Sequence, residues 1–91
     1  MPKFYDLYKS FDDFYDTLMR GNEVEFIYND NRYFILPIYK DKSVFGVWFG
    51  KEYSDPVPEF YSKEDLLLAK IDSFKLKEVL DVIEIVWYNF I

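Results

Sequence analysis

Glu23 and Glu25 alternate along the stretch EVEFIYN, residues 23–29. On an extended backbone such a pair stands on one side, about 7 Å apart. Two carboxylates at that spacing can divide general acid and base work on a glycosidic bond. The same spacing also arises on the solvent side of any half-buried strand, and that plainer arrangement is the expectation here. Asp12, Asp13 and Asp16 form a second acidic group. Asp12 and Asp13 suit the first turn of a helix, where the macrodipole favours negative charge. Asp16 lies one turn beyond Asp12, and that like-charged pair costs about 0.2–0.5 kcal/mol. A solvated helix start or an acidic docking face would both use these residues.

The basic residues gather elsewhere. Residues 32–51 hold Arg32, Lys40, Lys42 and Lys51 against Asp41 alone, with Tyr33, Tyr39 and Trp48 interleaved. If those rings share a sheet face, they form a stacking platform of the kind that binds single-stranded nucleic acid. Lysines at strand ends are also ordinary protection against edge pairing.

Most other chemistries lack their residues. There is no His and no Cys, so the usual neutral-pH bases, thiolate nucleophiles and zinc ligands are missing. Only Gly21, Gly46 and Gly50 occur, and none sits in a phosphate-binding motif. The turn Asn29-Asp30-Asn31 does not have the ligand spacing of a calcium loop. No catalytic, metal-ligating or cofactor-binding residue is expected.

These residues must be carried by a small set of elements. Ser10 with Asp13 resembles a capping box, followed by Phe11, Phe14, Tyr15, Leu18 and Met19 at helical spacing and by Gly21 as a stop. The pattern predicts a helix over 11–20. The preceding KFYDLY fits either a short strand or an extended arm. Val24, Phe26 and Tyr28 alternate with the two glutamates as a strand, and Asn29-Asp30-Asn31 turns the chain into RYFILPIYK, residues 32–40. Pro37 makes that strand an edge locally, or marks a bulge. Asp41-Lys42-Ser43 then turns into VFGVWFG. Ser62 with Asp65 starts a short helix through Leu66, Leu67 and Ala69. Asp72 or Ser73 starts another through Phe74, Leu76, Val79 and Leu80, and 82–89 read as a closing strand. The expected fold is α+β: an N-terminal helix, a three-stranded antiparallel meander, two short helices and a C-terminal strand joining the sheet. The helices would lie on one sheet face.

In 91 residues there is room for one domain, and aromatic residues at 23% let so short a chain build a sufficient core. The stretch KSVFGVWFG, residues 42–50, poses a problem for that core. As a middle strand it points Val44, Gly46 and Trp48 one way and Phe45, Val47 and Phe49 the other. Helices bury one side. The other must curl closed, be covered by the 51–61 loop and the C-terminal NFI, or meet another protein.

The stretch FYSKEDLLLAKIDSFKLKEV, residues 60–79, resembles a pattern in small uncharacterised bacterial proteins: Ser62, Glu64, Asp65, Leu66 and Leu67, then Ile71-Asp72 and Leu76-Lys77-Glu78. Ser73 stands where the pattern has Gly. That resemblance implies helix capping and core spacing and no activity. Size, acidity and missing catalytic residues are similar in type to phage-borne inhibitors, anti-CRISPR proteins among them, and to toxin-immunity proteins.

The net charge is −6, which repels nucleic-acid backbones at long range and favours basic protein surfaces. No apolar N-terminal leader and no run of 18 apolar residues is present, so a cytoplasmic protein away from the membrane is expected. The expected function is non-enzymatic binding of another, basic protein, of the inhibitor or immunity type. Asp12, Asp16, Glu23, Glu25, Tyr28 and Trp48 are the expected contacts. The alternatives are a homo-oligomeric structural domain, such as a homodimer, and a weak single-stranded nucleic-acid binder through 32–51.

Overall fold

The first helix of substance is α2, Phe11–Met19, and its ends are set by the residues flanking it. The Ser10 hydroxyl accepts from the Asp13 amide at 3.1 Å, while the Asp13 carboxylate accepts from the Lys9 amide at 3.1 Å. One orphan donor of the first turn, the Asp13 amide, is thereby satisfied, and the second bond fixes the residue just before the cap. At the far end Gly21 takes φ 97°, and the amides of Gly21 and Asn22 donate to Leu18 O and Thr17 O. Those two bonds close a Schellman motif, which needs a left-handed residue at Gly21.

The computed structural model describes residues 1–89. It contains α1 (Phe4–Leu7), α2, β1 (Val24–Tyr28), β2 (Asn31–Lys40), β3 (Ser43–Lys51), β4 (Glu59–Phe60), α3 (Lys63–Leu67), β5 (Lys70–Ile71), β6 (Phe74–Lys75), α4 (Leu76–Val79) and β7 (Glu84–Tyr88). The fold is α+β. Five strands form one antiparallel sheet in the order β4-β3-β2-β1-β7, and β5 with β6 make a separate hairpin.

Both tight turns of the meander put two residues at positive φ: Asn29 and Asp30 between β1 and β2, Asp41 and Lys42 between β2 and β3. Two consecutive left-handed residues are what a two-residue hairpin turn matched to strand twist requires. Pro37 lies past Ile35, the last β2 residue that β1 pairs, so β2 is an edge there on its β1 side. A register shift follows between Ile38 and Tyr39. The missing donor of Pro37 therefore falls where the ladder is already interrupted.

Several expectations need correction. Residues 4–7 form a helical turn in place of a strand or arm, held by the Lys3 amide on the Asp6 carboxylate at 2.8 Å. The meander is extended on its outer side by the two-residue β4, and β2, not β3, is the central strand. Asp72 takes φ 59° and turns the β5–β6 hairpin, so the last helix starts only at Leu76, where the Lys75 amide donates to the Glu78 carboxylate at 2.9 Å. The helices do not all lie across one sheet face. α2 packs on β2 and β3, whereas α3 packs on α4 and on the edge strand β4.

One core joins these parts. Val24, Phe26, Tyr33, Ile35, Val47, Phe49 and Ile85 of the sheet meet Phe4, Phe11, Phe14 and Leu18 of the first two helices and Leu66, Ile71, Leu76 and Val79 from the C-terminal half. Tyr8 is 3% exposed in this core, with its ring 4.7 Å from that of Phe14. Burial first, then the neighbouring Tyr88 and Asp13, pushes the Tyr8 phenol up to about 12. The folded state therefore holds this proton while the unfolded chain releases it near pH 10. The contribution is complete below pH 10 and is lost as pH rises from 10 to about 12. At about 1.4 kcal/mol per pH unit, close to 3 kcal/mol should disappear across that window. Tyr15, Tyr33 and Tyr61 are shifted in the same direction, so urea midpoints at pH 9, 10, 11 and 12 should fall for the wild type and by a smaller amount for Tyr8→Phe.

Candidate protein-binding face

Strand alternation assigns every sheet residue to one of two sides. The core side carries Val24, Phe26, Tyr33, Ile35, Val47 and Phe49, all buried. Their neighbours point the other way. Cross-strand pairs there are Ile27 with Arg32 and Glu84, Glu25 with Phe34 and Trp87, Phe34 with Gly50, Leu36 with Trp48, Ile38 with Gly46, and Trp48 with Glu59. Directly paired residues share a face. The second face therefore has an apolar centre of Ile27, Phe34, Leu36, Ile38 and Trp48, each half-buried, with Trp87 46% exposed at one side.

Its cover is partial and comes from the segment after β3. Gly46 and Gly50 flank Trp48 on this face. A Cβ built on Gly46 would lie 2.6 Å from Tyr61 Cδ1 and 2.7 Å from Phe60 O, and one on Gly50 would lie 3.1 Å from Val57 Cγ1. The two glycines thus make room for Tyr61 and Val57, which lean over β3 from its outer edge. A bond from the Phe49 amide to Pro58 O at 3.2 Å and the β3–β4 pairing hold this segment down. The 51–61 loop is in this way the cover that the sequence allowed: its 57–61 part lies on β3, and its start touches β2 where the Glu52 amide donates to Arg32 O at 2.8 Å. Of the C-terminal NFI, Phe90 and Ile91 lie outside the described residues. Asn89 binds the backbone of Glu23 in both directions, its side-chain oxygen accepting at 2.6 Å and its amide donating at 3.3 Å.

Acids ring the apolar centre. By the same alternation the second face holds Glu23, Glu25, Glu52, Glu59 and Glu84. Arg32 bonds Glu25 at 3.1 Å and Glu52 at 3.5 Å. The Tyr61 hydroxyl donates to the Glu59 carboxylate, and this bond, more than burial, raises the Tyr61 phenol above its usual value. The other bases on this side sit at its margins: Lys40 at the hairpin tip, 5.0 Å from the centroid of Phe45, and Lys3 across from Glu84.

No family model, curated protein or solved structure matches this chain.

The structure divides the six expected contact residues. Glu23, Glu25 and Trp48 fall together on the second face. Tyr28 lies on the core side, half-buried against the core, and Asp12 and Asp16 are exposed on α2, which packs on that side. Asp12 already holds Lys63 of α3 at 2.7 Å, an interaction that raises the Lys63 amine. The expected ring platform is overturned as well. Tyr33 is buried on the core side while Trp48 points to the other, so the two cannot stack one strand. The bases of 32–51 also separate, with Arg32 and Lys51 at one end of the β2–β3 hairpin and Lys40 and Lys42 at the other. Among the described residues no group of three or more acids is arranged to hold a metal ion. Sequence reasoning missed Phe34, Leu36 and Ile38, although the signal was there: FILPI is apolar at every position, just as VFGVWF is.

Proposed function

We propose that this is a non-enzymatic protein-binding module of the inhibitor or immunity type, which docks a basic protein through the second sheet face. The observation that supports it is the layout of that face: Ile27, Phe34, Leu36, Ile38 and Trp48 in a continuous half-buried centre, surrounded by five glutamates. Apolar anchors near the middle supply most of the affinity of such an interface, and charges at the rim set encounter rate and partner choice. A rim of carboxylates selects lysine and arginine. Where the partner is a nuclease, those carboxylates stand in for phosphates.

Homo-oligomerisation through the same face is the second reading, and its charges oppose it. A symmetric dimer would bring the glutamate rim against its own copy, and like charges juxtaposed across an interface cost several kcal/mol. Nucleic acid suits the face no better, since its centre is apolar and its rim repels phosphate.

Sedimentation velocity on the purified chain at about 10 μM should show a monomer. Retention of a basic protein from lysate of the source cells should be strong at about 50 mM salt and weaken several-fold at about 500 mM, where screening is nearly complete. A stable dimer, or retention indifferent to salt, would remove the basis for the proposal.

A further inference from the structure

The second sheet face has a shape as well as a charge. Its floor is one column of β2, formed by Phe34, Leu36 and Ile38, all half-buried. The β3 partners of these three are Gly50, Trp48 and Gly46, and Val57 and Tyr61 stand over the two glycines. That side of the column is therefore a raised wall. On the other side Glu25 pairs with Phe34, and Glu23 lies one residue before Val24, the first β1 residue that β2 pairs. From Phe34 to Ile38 the column is about 13 Å long, the rise of about nine helical residues. Glu59 on β4 and Glu25 on β1 are three strand spacings apart, about 14 Å. An α-helix with its side chains is about 10–12 Å across and lies within that width.

The carboxylates on the two shoulders are only partly neutralised. Arg32 holds Glu25 and Glu52 at one end of the face. Glu59 ends the row that runs through Trp48 to Leu36, and Glu23 flanks the same level from β1. Among the described residues neither Glu23 nor Glu59 is in an ion pair, and the hydroxyl that Tyr61 donates to Glu59 leaves the charge in place.

The sheet edges are less open than its face. On the outer side of β3, β4 pairs Val47 and Trp48, and the Phe49 amide donates to Pro58 O. On the outer side of β7, the Ile85 amide donates to Pro2 O at 2.8 Å and Lys3 bridges Glu84. A partner strand would have to displace one of these segments to add to the sheet, and it would still lie beside the apolar column instead of on it.

We infer, on the reading that this face docks a basic protein, that the docking element is an amphipathic α-helix laid along β2. Its apolar residues at i, i+4, i+7 and i+8 cover Phe34, Leu36 and Ile38, and a lysine or arginine on each shoulder meets Glu23 and Glu59.

Two synthetic peptides of about 16 residues and identical Leu, Lys and Ala composition test it against the 15N-labelled full chain. In one the leucines recur at i, i+4, i+7 and i+8 with lysines on both flanks. In the other the same leucines alternate with lysines. The first should give saturable shifts of the Phe34, Leu36 and Ile38 amides with a dissociation constant below about 1 mM, and the second should bind at least about tenfold more weakly. Glu23→Gln/Glu59→Gln should weaken the first peptide about fivefold or more at about 50 mM salt, while Asp16→Asn on α2 should keep it within about twofold. Equal or tighter binding of the alternating peptide at those amides overturns the helix and leaves the docking face standing. Unchanged binding to the double variant overturns a basic helix as the occupant. No saturable shift on this face with either peptide by about 5 mM overturns both the helix and the face.

Discussion

Phe4→Ala should cost about 3–5 kcal/mol, the range for deleting a buried phenylalanine. In a domain this small that is a large share of the total stability. Phe4 is 0% exposed although it stands four residues from the N-terminus. Its ring lies 5.0 Å from Phe14, 5.1 Å from Tyr8 and 6.4 Å from Phe11, so it is the shared neighbour of the α1–α2 aromatic cluster. Alanine there leaves a cavity lined by rigid rings that cannot collapse to fill it, and it releases the single turn of α1 from the core. Urea unfolding followed by circular dichroism should show the midpoint falling steeply with the slope little changed. Tyr5→Ala, one residue on at a site 54% exposed, should change it by less than about 0.5 kcal/mol. Similar losses at both positions would mean that the first turn is not anchored as described.

Gly46→Ala is the second large effect, and here the damage comes from one added methyl group. The new Cβ would sit 2.6 Å from Tyr61 Cδ1 and 2.7 Å from Phe60 O. The tyrosine ring can swing away, but the carbonyl belongs to the β4 backbone and can yield only if the edge strand moves. Overpacking of this kind typically costs about 1–3 kcal/mol. The double variant Gly46→Ala/Tyr61→Ala should recover only part of the loss, because the contact with Phe60 O persists. Amide exchange of Phe49, whose donor reaches Pro58 O on the same segment, should accelerate in Gly46→Ala. An unperturbed Phe49 amide together with wild-type stability would show that the 57–61 segment does not lie on β3. Gly50→Ala should be milder, since its nearest neighbour is a valine methyl at 3.1 Å.

The parts of the fold that were legible in the sequence are those whose signals are local. Ser10, Asp13 and Gly21 bracket α2, and alternation through Val24, Phe26 and Tyr28 with two left-handed turns defines β1 to β3. The parts that were not legible are elements of two to four residues, α1, β4, β5 and β6. These carry no periodicity and exist because the core holds them: Phe4 is buried, and β4 forms where Gly46 and Gly50 leave space. The same limit applied to the candidate face. Glu23, Glu25 and Trp48 could be named from strand alternation. Alternation also set Tyr28 opposite the two glutamates, but it could not say that Trp48 shares their side, because β2 and β3 are apolar on both sides and alternation alone does not say which set the helices cover. The β2–β3 register supplies that missing relation by setting Leu36 beside Trp48.

That relation makes the docking proposal directly testable at one residue. Leu36 sits in the middle of the second face, is paired with Trp48 and lies away from the buried core set. Leu36→Lys places a desolvated positive charge where the basic partner's apolar anchor would seat, so retention of that partner from lysate should drop by at least about tenfold. Asp16→Lys changes the net charge by more but lies on α2, on the other side of the sheet, and should keep retention within about twofold. Loss with the first variant and persistence with the second are expected, provided both give the wild-type circular dichroism spectrum. Retention that survives Leu36→Lys and vanishes with Asp16→Lys would contradict docking through this face.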